Sequence, residues 1–433
     1  MPRSYGSARP NVQSMRRTTS TAVRPPIAPR GSSARTSSAS TPRALPLPGN
    51  PVREAAHSRW TPMQRPGVPE QTARLRRGST LLPSTMRAIT VSCKGTPVAP
   101  NVSLREDWPE PESPGPGYAL VRTLCSAFNH MDLWVGRGVP GLDLEYPRIS
   151  GCDACGVVEA VGCEGDKPWI GTRVIFNAAV QVQRSPAADE PPRSTLAPEY
   201  ELIGEHHFGA HAERFVVPIE NLANVGECDP IAAAAFGLCA LTAWSMMVTK
   251  ADLRPGQSVL ITGIGGGVAT SALAIARHFG CEICVTSRHQ WKLDRARELG
   301  ASCTILDEGQ DWSRDVRAWT HKRGVDLAVD SVGKATHLNC IKSLARGGAY
   351  VTPGCTSGPN ATTDLARVFW NQLRILGSTM GTNDEFKEVA SLFRAGLLEP
   401  IIDTVFGPDE CRAAYERLEG AGHFGKIVID WRG

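Results

Sequence analysis

Residues 258–280 read "SVLITGIGGGVATSALAIARHFG". A short β-branched run leads into a glycine turn, and the turn opens an apolar-periodic stretch long enough for a helix. In that order the glycines have a physical use. Gly263, Gly265, Gly266 and Gly267 let backbone N–H groups approach a pyrophosphate at the helix N-terminus. Two registers of the dinucleotide fingerprint fit the text. One starts at Gly263 and puts Val268 in the third glycine place, and the other, shifted by one, puts Ala269 there.

The text downstream keeps the same rhythm. Strands "EICVTS", "CTIL", "DLAVDSV" and "AYVTPG" alternate with helices "WKLDRARELG", "WSRDVRAWTH" and "THLNCIKSLARG". Such alternation predicts βαβ units and a doubly wound parallel sheet. Cofactor preference is read at the end of the second strand. NAD-selective folds place an acid there for the ribose 2′-OH. Here the strand ends in Ser287 and Arg288, with Lys292 one helical turn on, groups that suit a 2′-phosphate. NADP(H) is therefore expected rather than NAD(H).

Upstream, "RAITV", "YALVRTL", "GVVEAVG", "TRVIF" and "AERFVVP" are short, Val- and Ile-rich and bounded by turn residues, as in a mostly antiparallel β unit. Residues 177–200 are Pro-rich and aperiodic and read as a surface loop. Residues 231–248 run 18 positions without a charge. Their alanine-rich text leads straight toward the glycine turn, which favours a buried helix over a membrane span.

Residues 1–85 hold 14 Arg, no Lys and two acids, Glu54 and Glu70. That is a net +12, which leaves −8 for residues 86–433 of a chain whose total is +4. With 13 Pro and 12 Ser, this leader is expected to be disordered. Its acid-poor, Arg-rich composition also suits a transit peptide, which would place the protein in mitochondria; otherwise a cytoplasmic protein is expected. The leader has no aromatic interleaving, so nucleic acid is not an expected partner. Thirteen scattered cysteines without a secretory signal favour reduced thiols.

Seven pieces in order, "FNHMDLWVGRG", "GCDACGVVEAVG", "GAHAERFVVP", "LTAW", "LRPGQSVLITGIGGG", "ILGSTMG" and "HFGKIVID", carry a family resemblance. Residues 86–433 resemble medium-chain dehydrogenases/reductases, within them the zinc-independent quinone oxidoreductase and enoyl reductase branch. The resemblance implies a GroES-like catalytic domain over 86–235, a Rossmann domain over 236–378 and a return to the catalytic domain over 379–433. Homodimers or homotetramers are implied too.

Zinc members bind metal through Cys, His and Cys. Those places here hold Asn129, Cys152 and Leu238, with Cys239 one residue on. One matching thiol does not make a catalytic zinc site. Residues 177–200 contain no cysteine for a structural zinc lobe. Zinc is therefore not expected, though Cys152, Cys239 and Asp153 or His130 form a fallback ligand set. "HHFGAH" (206–211) reads as solvated or supporting histidines.

Without a Lewis acid, reduction of a conjugated C=C–C=O is the easier chemistry, because a few N–H donors can hold the enolate oxygen. Asn129 supplies such a donor. Asp132 is expected to orient its loop or cap the local turn, and Cys152 and His130 are weak proton-donor candidates. The resemblance also implies cofactor contacts from Thr242, Gly354 and Lys426. The leading reading is an NADPH-dependent reductase of quinones or enones. Its rivals are a zinc alcohol dehydrogenase with an irregular shell and a non-catalytic NADPH-binding scaffold or RNA binder.

Overall fold

A computed structural model describes residues 84–181, 194–197 and 200–433. The leader reading lies outside these residues, apart from its last two positions. There the structure corrects the boundary, because strand β1 begins at Thr85, opposite Pro109.

In chain order the first elements are β1 (Thr85–Val91), β2 (Val102–Pro109), β3 (Tyr118–Ala127), α1 (His130–Arg137), β4 (Arg148–Ile149), β5 (Ala154–Val161), β6 (Arg173–Phe176) and β7 (Ala179–Gln181). β8 (Tyr200–Leu202), β9 (Arg214–Pro218), β10 (Leu222–Asn224) and α2 (Pro230–Trp244) follow. Then come β11 (Ser258–Ile261), α3 (Gly267–His278), β12 (Glu282–Ser287), α4 (Gln290–Glu298), β13 (Cys303–Leu306), α5 (Ser313–Trp319), β14 (Val325–Val329) and α6 (His337–Ser343). The chain ends with β15 (Leu344–Thr352), α7 (Leu365–Asn371), β16 (Arg374–Gly377), α8 (Asn383–Arg394), β17 (Ile402–Phe406), α9 (Cys411–Glu419) and β18 (Lys426–Asp430).

The catalytic half is a GroES-like, mostly antiparallel assembly. Its main sheet runs β10-β6-β5-β3-β18-β17, with β9 also paired to β3, and a second sheet runs β2-β1-β4. The last strand of the chain is thus laid beside an early one, Val428 opposite Ala127. Trp431 Nε1 clamps this join by donating to Ser126 Oγ at 2.9 Å.

The other half is a Rossmann sheet, all parallel, in the order β13-β12-β11-β14-β15-β16. The order reverses between β11 and β14, and ligands of such sheets bind beyond the strand ends at that point. Asp330, buried just past β14, ties those ends together. It accepts hydrogen bonds from Thr262, Thr336 and Tyr350. "THLNCIKSLARG" is helical only as far as Ser343; "LARG" already belongs to β15.

α2 is the buried helix expected from its charge-free text. With the helical turn that continues it to Lys250 it is long and apolar enough for a membrane span, yet 83% of that window is buried inside the protein. Asp229 caps its start, accepting from Ile231 N and Ala232 N. Its alanines join Cys125, Ala127 and Ile175 of the first half and Val259, Ile261 and Leu273 of the second in one core cluster.

Residues 177–200 are not simply a surface loop. Residues 177–180 are buried, β7 pairs with β8, and Asn177 Nδ2 donates to Gly381 O at 3.1 Å and Asn383 Oδ1 at 2.8 Å. Proline content concealed this stretch of ordered backbone, which is fixed by partners some two hundred residues away.

Candidate functional site: a buried lysine among asparagine, aspartate and thiols

The starts of four elements and the middle of α2 converge on one buried cluster. Asn129 is the N-cap of α1, Cys152 and Asp153 precede β5, and Leu238 and Cys239 lie mid-way along α2. Gly267 opens α3 and Lys426 opens β18. Lys426 Nζ donates to Asn129 Oδ1 at 2.6 Å, to Asp153 Oδ2 at 2.9 Å and, weakly, to Cys239 Sγ at 3.7 Å. Asn129 Nδ2 donates to Asp153 Oδ2 at 2.9 Å and to Cys152 Sγ at 3.4 Å. Leu238 N donates to Asp153 Oδ1 at 2.7 Å, and Cys239 Sγ donates to Asn129 Oδ1 at 3.2 Å.

The charges follow from this geometry. Burial works against the Lys426 ammonium, but its charged acceptor Asp153 helps to outweigh it, and its pKa lies above the ordinary lysine value. Burial pushes both thiols up, Cys152 far above its usual range, so the sulfurs stay protonated. A thiol that keeps its proton this firmly is a poor proton donor. Among the described residues no group of three His, Cys, Asp or Glu side chains is arranged to hold a metal ion. Of the fallback set of Cys152, Asp153 and Cys239, the Lys426 ammonium already occupies Asp153 at 2.9 Å and Cys239 at 3.7 Å, so a zinc ion does not fit these residues as they stand.

Asn129 is aimed by the loop that carries it. Asp132 Oδ2 accepts from Asn129 N at 2.7 Å in a capping box, so the two roles expected of Asp132 are one. Its other oxygen faces His211 Nε2 at 3.4 Å, and His211 Nδ1 meets Ser126 Oγ at 2.8 Å. Burial raises the Asp132 pKa, but His211 and the Asn129 N–H more than reverse this, leaving it below the usual carboxylate range. His211 is wholly enclosed, so it supports the site and is not solvated. His130 is exposed, its ring meeting Trp134 edge-on at 5.4 Å.

The glycine loop is shaped to take a phosphate. Gly263 and Gly265 have φ of +61° and +117°, conformations that side-chain-bearing residues rarely adopt. A Cβ added to Gly266 or Gly354 would meet nothing within 4 Å, so open space lies before both. The left-handed glycines match the register that begins at Gly263, while the residue that packs the helix inward is the buried Ala269; Val268 is only half-buried. Thr242 Oγ1 is buried with no hydrogen-bond partner among the described residues, a hydroxyl left for a ligand. A nicotinamide dinucleotide fits these features. Bound there, it would be held by the loop amides and Thr242 and would supply hydride.

At the end of β12, Arg288 is exposed and Ser287 Oγ accepts from His289 N at 3.1 Å. Lys292 departs from its expected place at a 2′-phosphate. It is buried, and its Nζ donates to Ala421 O at 2.8 Å. Its stem passes Gly265, where an added Cβ would come within 2.8 Å of Lys292 Cδ. Lysine stems cover apolar surface readily, and here the loop before β18 lies within reach. Gly425 N of that loop donates to Gly265 O at 2.8 Å. Lys426 is likewise more than a lone residue near the glycine loop, because its ammonium lies between Asn129 and Asp153.

The sequence reading missed Asp153 as the anchor and Gly237 as its accomplice. A Cβ at Gly237 would lie 2.6 Å from Asp153 Oδ1. The available signal was an acid next to Cys152 at a strand start rich in small residues.

With this geometry in hand, known proteins supply the context. Residues 115–227 match the family model of the alcohol dehydrogenase GroES-like domain and residues 267–395 that of the zinc-binding dehydrogenase. The zinc-type alcohol dehydrogenase-like protein YogA of Leptosphaeria maculans is 29% identical over 342 residues, covering 73% of this chain and 92% of its own. Crotonyl-CoA reductase of Streptomyces avermitilis is 28% identical over 403 residues, covering 80% and 88%. A crystal structure of an NAD-dependent alcohol dehydrogenase superposes with a TM-score of 0.73 at 35% identity, over 80% of this chain and 100% of that one. The chain belongs to the medium-chain dehydrogenase/reductase superfamily. Within it, the protein is an NAD(P)-dependent oxidoreductase.

Proposed function

We propose that the protein is an NADPH-dependent reductase of quinones or α,β-unsaturated carbonyls that works without a metal. The observation that carries this reading is the Lys426 ammonium held between Asn129, Asp153 and Cys239, where a zinc relative would need a dication. In reduction of an enone, negative charge develops on the carbonyl oxygen as hydride reaches the β carbon. Fixed donors in a dry site stabilise such charge strongly. Asn129 commits one amide hydrogen to Asp153 and the other, at 3.4 Å, to the Cys152 thiol. The thiol is the weaker acceptor and yields first to an oxyanion. Asp132 and His211 keep the amide aimed, and the buried ammonium adds positive potential behind it.

The preference for NADPH rests on Arg288 and on the lack of an acid at the end of β12. The domain division 86–235, 236–378 and 379–433 is proposed with this reading, as is a cytoplasmic site, or a mitochondrial one if residues 1–85 act as a transit peptide. Self-association as a homodimer or homotetramer is supported by α7. Its Leu365, Phe369 and Trp370 are each about 70% exposed beside Ile375 of the edge strand β16. The test is NADPH oxidation by the purified protein against a panel of quinones and enones, with metal content measured on the same sample. Turnover without stoichiometric metal supports the reading; zinc-dependent alcohol oxidation overturns it.

A further inference from the structure

We propose that Cys284 and Cys303 form a peroxide-oxidisable dithiol, in which Cys303 attacks a hydroperoxide and Cys284 resolves the product as a disulfide across β12 and β13. The two residues are register partners in this parallel pair, so their side chains leave the sheet on the same face. Both pack in the cluster that holds Trp312 and Val316. Neighbouring strands lie about 4.7–4.9 Å apart, within the ~4.4–6.8 Å that a disulfide spans between Cα atoms. The bond can therefore close without a large shift of either strand. Once closed, it ties together the two ends of the crossover that carries Arg288 and α4.

The two thiols differ as the reaction requires. β13 is the edge strand of its sheet and Cys303 is only half-buried, so a small hydroperoxide can reach it. Cys284 is fully enclosed. The Cys284 thiol donates a hydrogen bond to the Cys303 sulfur, which holds the Cys303 pKa below the usual thiol value and pushes that of Cys284 up. The thiolate is the attacking form. With hydrogen peroxide, the Cys303 thiolate forms an S–O bond as the O–O bond breaks, and the departing hydroxide takes up a proton and leaves as water. Cys284 then attacks the sulfenic sulfur. The S–S bond forms, the S–O bond breaks, and the hydroxide leaves as water with the Cys284 proton. Two thiols are oxidised by two electrons in all, and one peroxide is reduced to two waters.

A second opposed pair supplies the contrast. Cys125 and Cys155 face each other across β3 and β5. Both are enclosed, and burial pushes both thiols up, Cys155 to about 12, so this pair should stay reduced.

The experiment is limited oxidation of the full chain with hydrogen peroxide, then alkylation of the remaining thiols in denaturant and peptide mapping by mass spectrometry. A Cys284–Cys303 cross-linked peptide should appear and be lost again on treatment with dithiothreitol, while Cys125 and Cys155 remain alkylatable. Cys303 should be consumed about tenfold faster than Cys281, a half-buried thiol whose pKa burial raises. In Cys284→Ala the reaction should stop at a Cys303 sulfenic acid, which dimedone captures. In Cys303→Ser, Cys284 should remain a thiol. Should either variant fail to fold, the wild-type map decides alone. A wild type that forms no Cys284–Cys303 cross-link, or whose Cys303 reacts no faster than Cys281, overturns the inference.

Discussion

Gly237→Ala opposes two well-known effects at one position. In the interior of α2, replacing glycine with alanine should stabilise the helix by about 0.8–1 kcal/mol. However, the added methyl would fall 2.6 Å from Asp153 Oδ1, closer than a Cβ contact can be. Overpacking a buried site costs about 1–3 kcal/mol. The carboxylate must also retreat from Leu238 N, now 2.7 Å away, and a hydrogen bond to a charged group contributes about 1.5–3 kcal/mol. Sterics and the lost bond outweigh propensity, leaving a net loss of about 1.5–5 kcal/mol. Urea unfolding followed by circular dichroism reads it as a lower midpoint at unchanged slope. NADPH-dependent turnover should fall as well, since Asp153 aims Asn129. A variant as stable as the wild type would refute the idea that Asp153 is pinned against α2.

Other outcomes follow from the same contacts. Arg288→Ala should cost about 1–3 kcal/mol of NADPH affinity and leave NADH affinity almost unmoved, as read by parallel titrations. Asn129→Ala should slow enone reduction by less than the ~2.7–4 kcal/mol typical of losing an oxyanion donor, because solvent can enter; single-turnover kinetics measure it, and an unchanged rate removes Asn129 from the chemistry. The Asp132 pKa is depressed in the folded state, so its stabilising contribution is present above the unfolded value of ~3.9 and is lost as pH falls toward the folded value. The stability gap between the wild type and Asp132→Asn should therefore be widest near neutrality and shrink below about pH 4; a gap that widens on acidification contradicts the His211–Asp132 contact. Deleting residues 1–83 should leave the thermal midpoint unchanged, and a large drop would mean that the leader packs on the body.

Much of the fold could be read locally. The glycine turn, the alternation after residue 258 and the short Val- and Ile-rich runs before it are near-neighbour patterns, and they announce a parallel and an antiparallel half but not the pairing of β18 with β3. The site was legible only in part. Asn129, Asp132 and Cys152 stand in recognisable text, and Asp132 acts within three residues of its target. Lys426 and Asn129, by contrast, are 297 residues apart in sequence and 2.6 Å apart in space. Nothing in "FGKIV" reveals where the ammonium ends up. Lys292 misled for the same reason: its spacing after Arg288 suggested a shared phosphate, while the carbonyl it reaches belongs to Ala421, on a distant loop. The sequence left His211 as either solvated or supporting, because enclosure by Phe128, Ser126 and Asp132 leaves no mark on its neighbours in sequence.

The join between β3 and β18 also governs how the protein is made. On the ribosome, β3 emerges some three hundred residues before the strand that pairs with it. Until residues 426–431 have been synthesised, β3 and β17 have no strand between them, Ser126 lacks its indole partner Trp431, and Asp153 lacks its cation. The glycine-loop half, whose six strands lie between residues 258 and 377, can close earlier. The nascent chain would thus carry a finished parallel sheet beside an open sheet edge, and the cluster around Asp153 would be completed only once Lys426 has emerged.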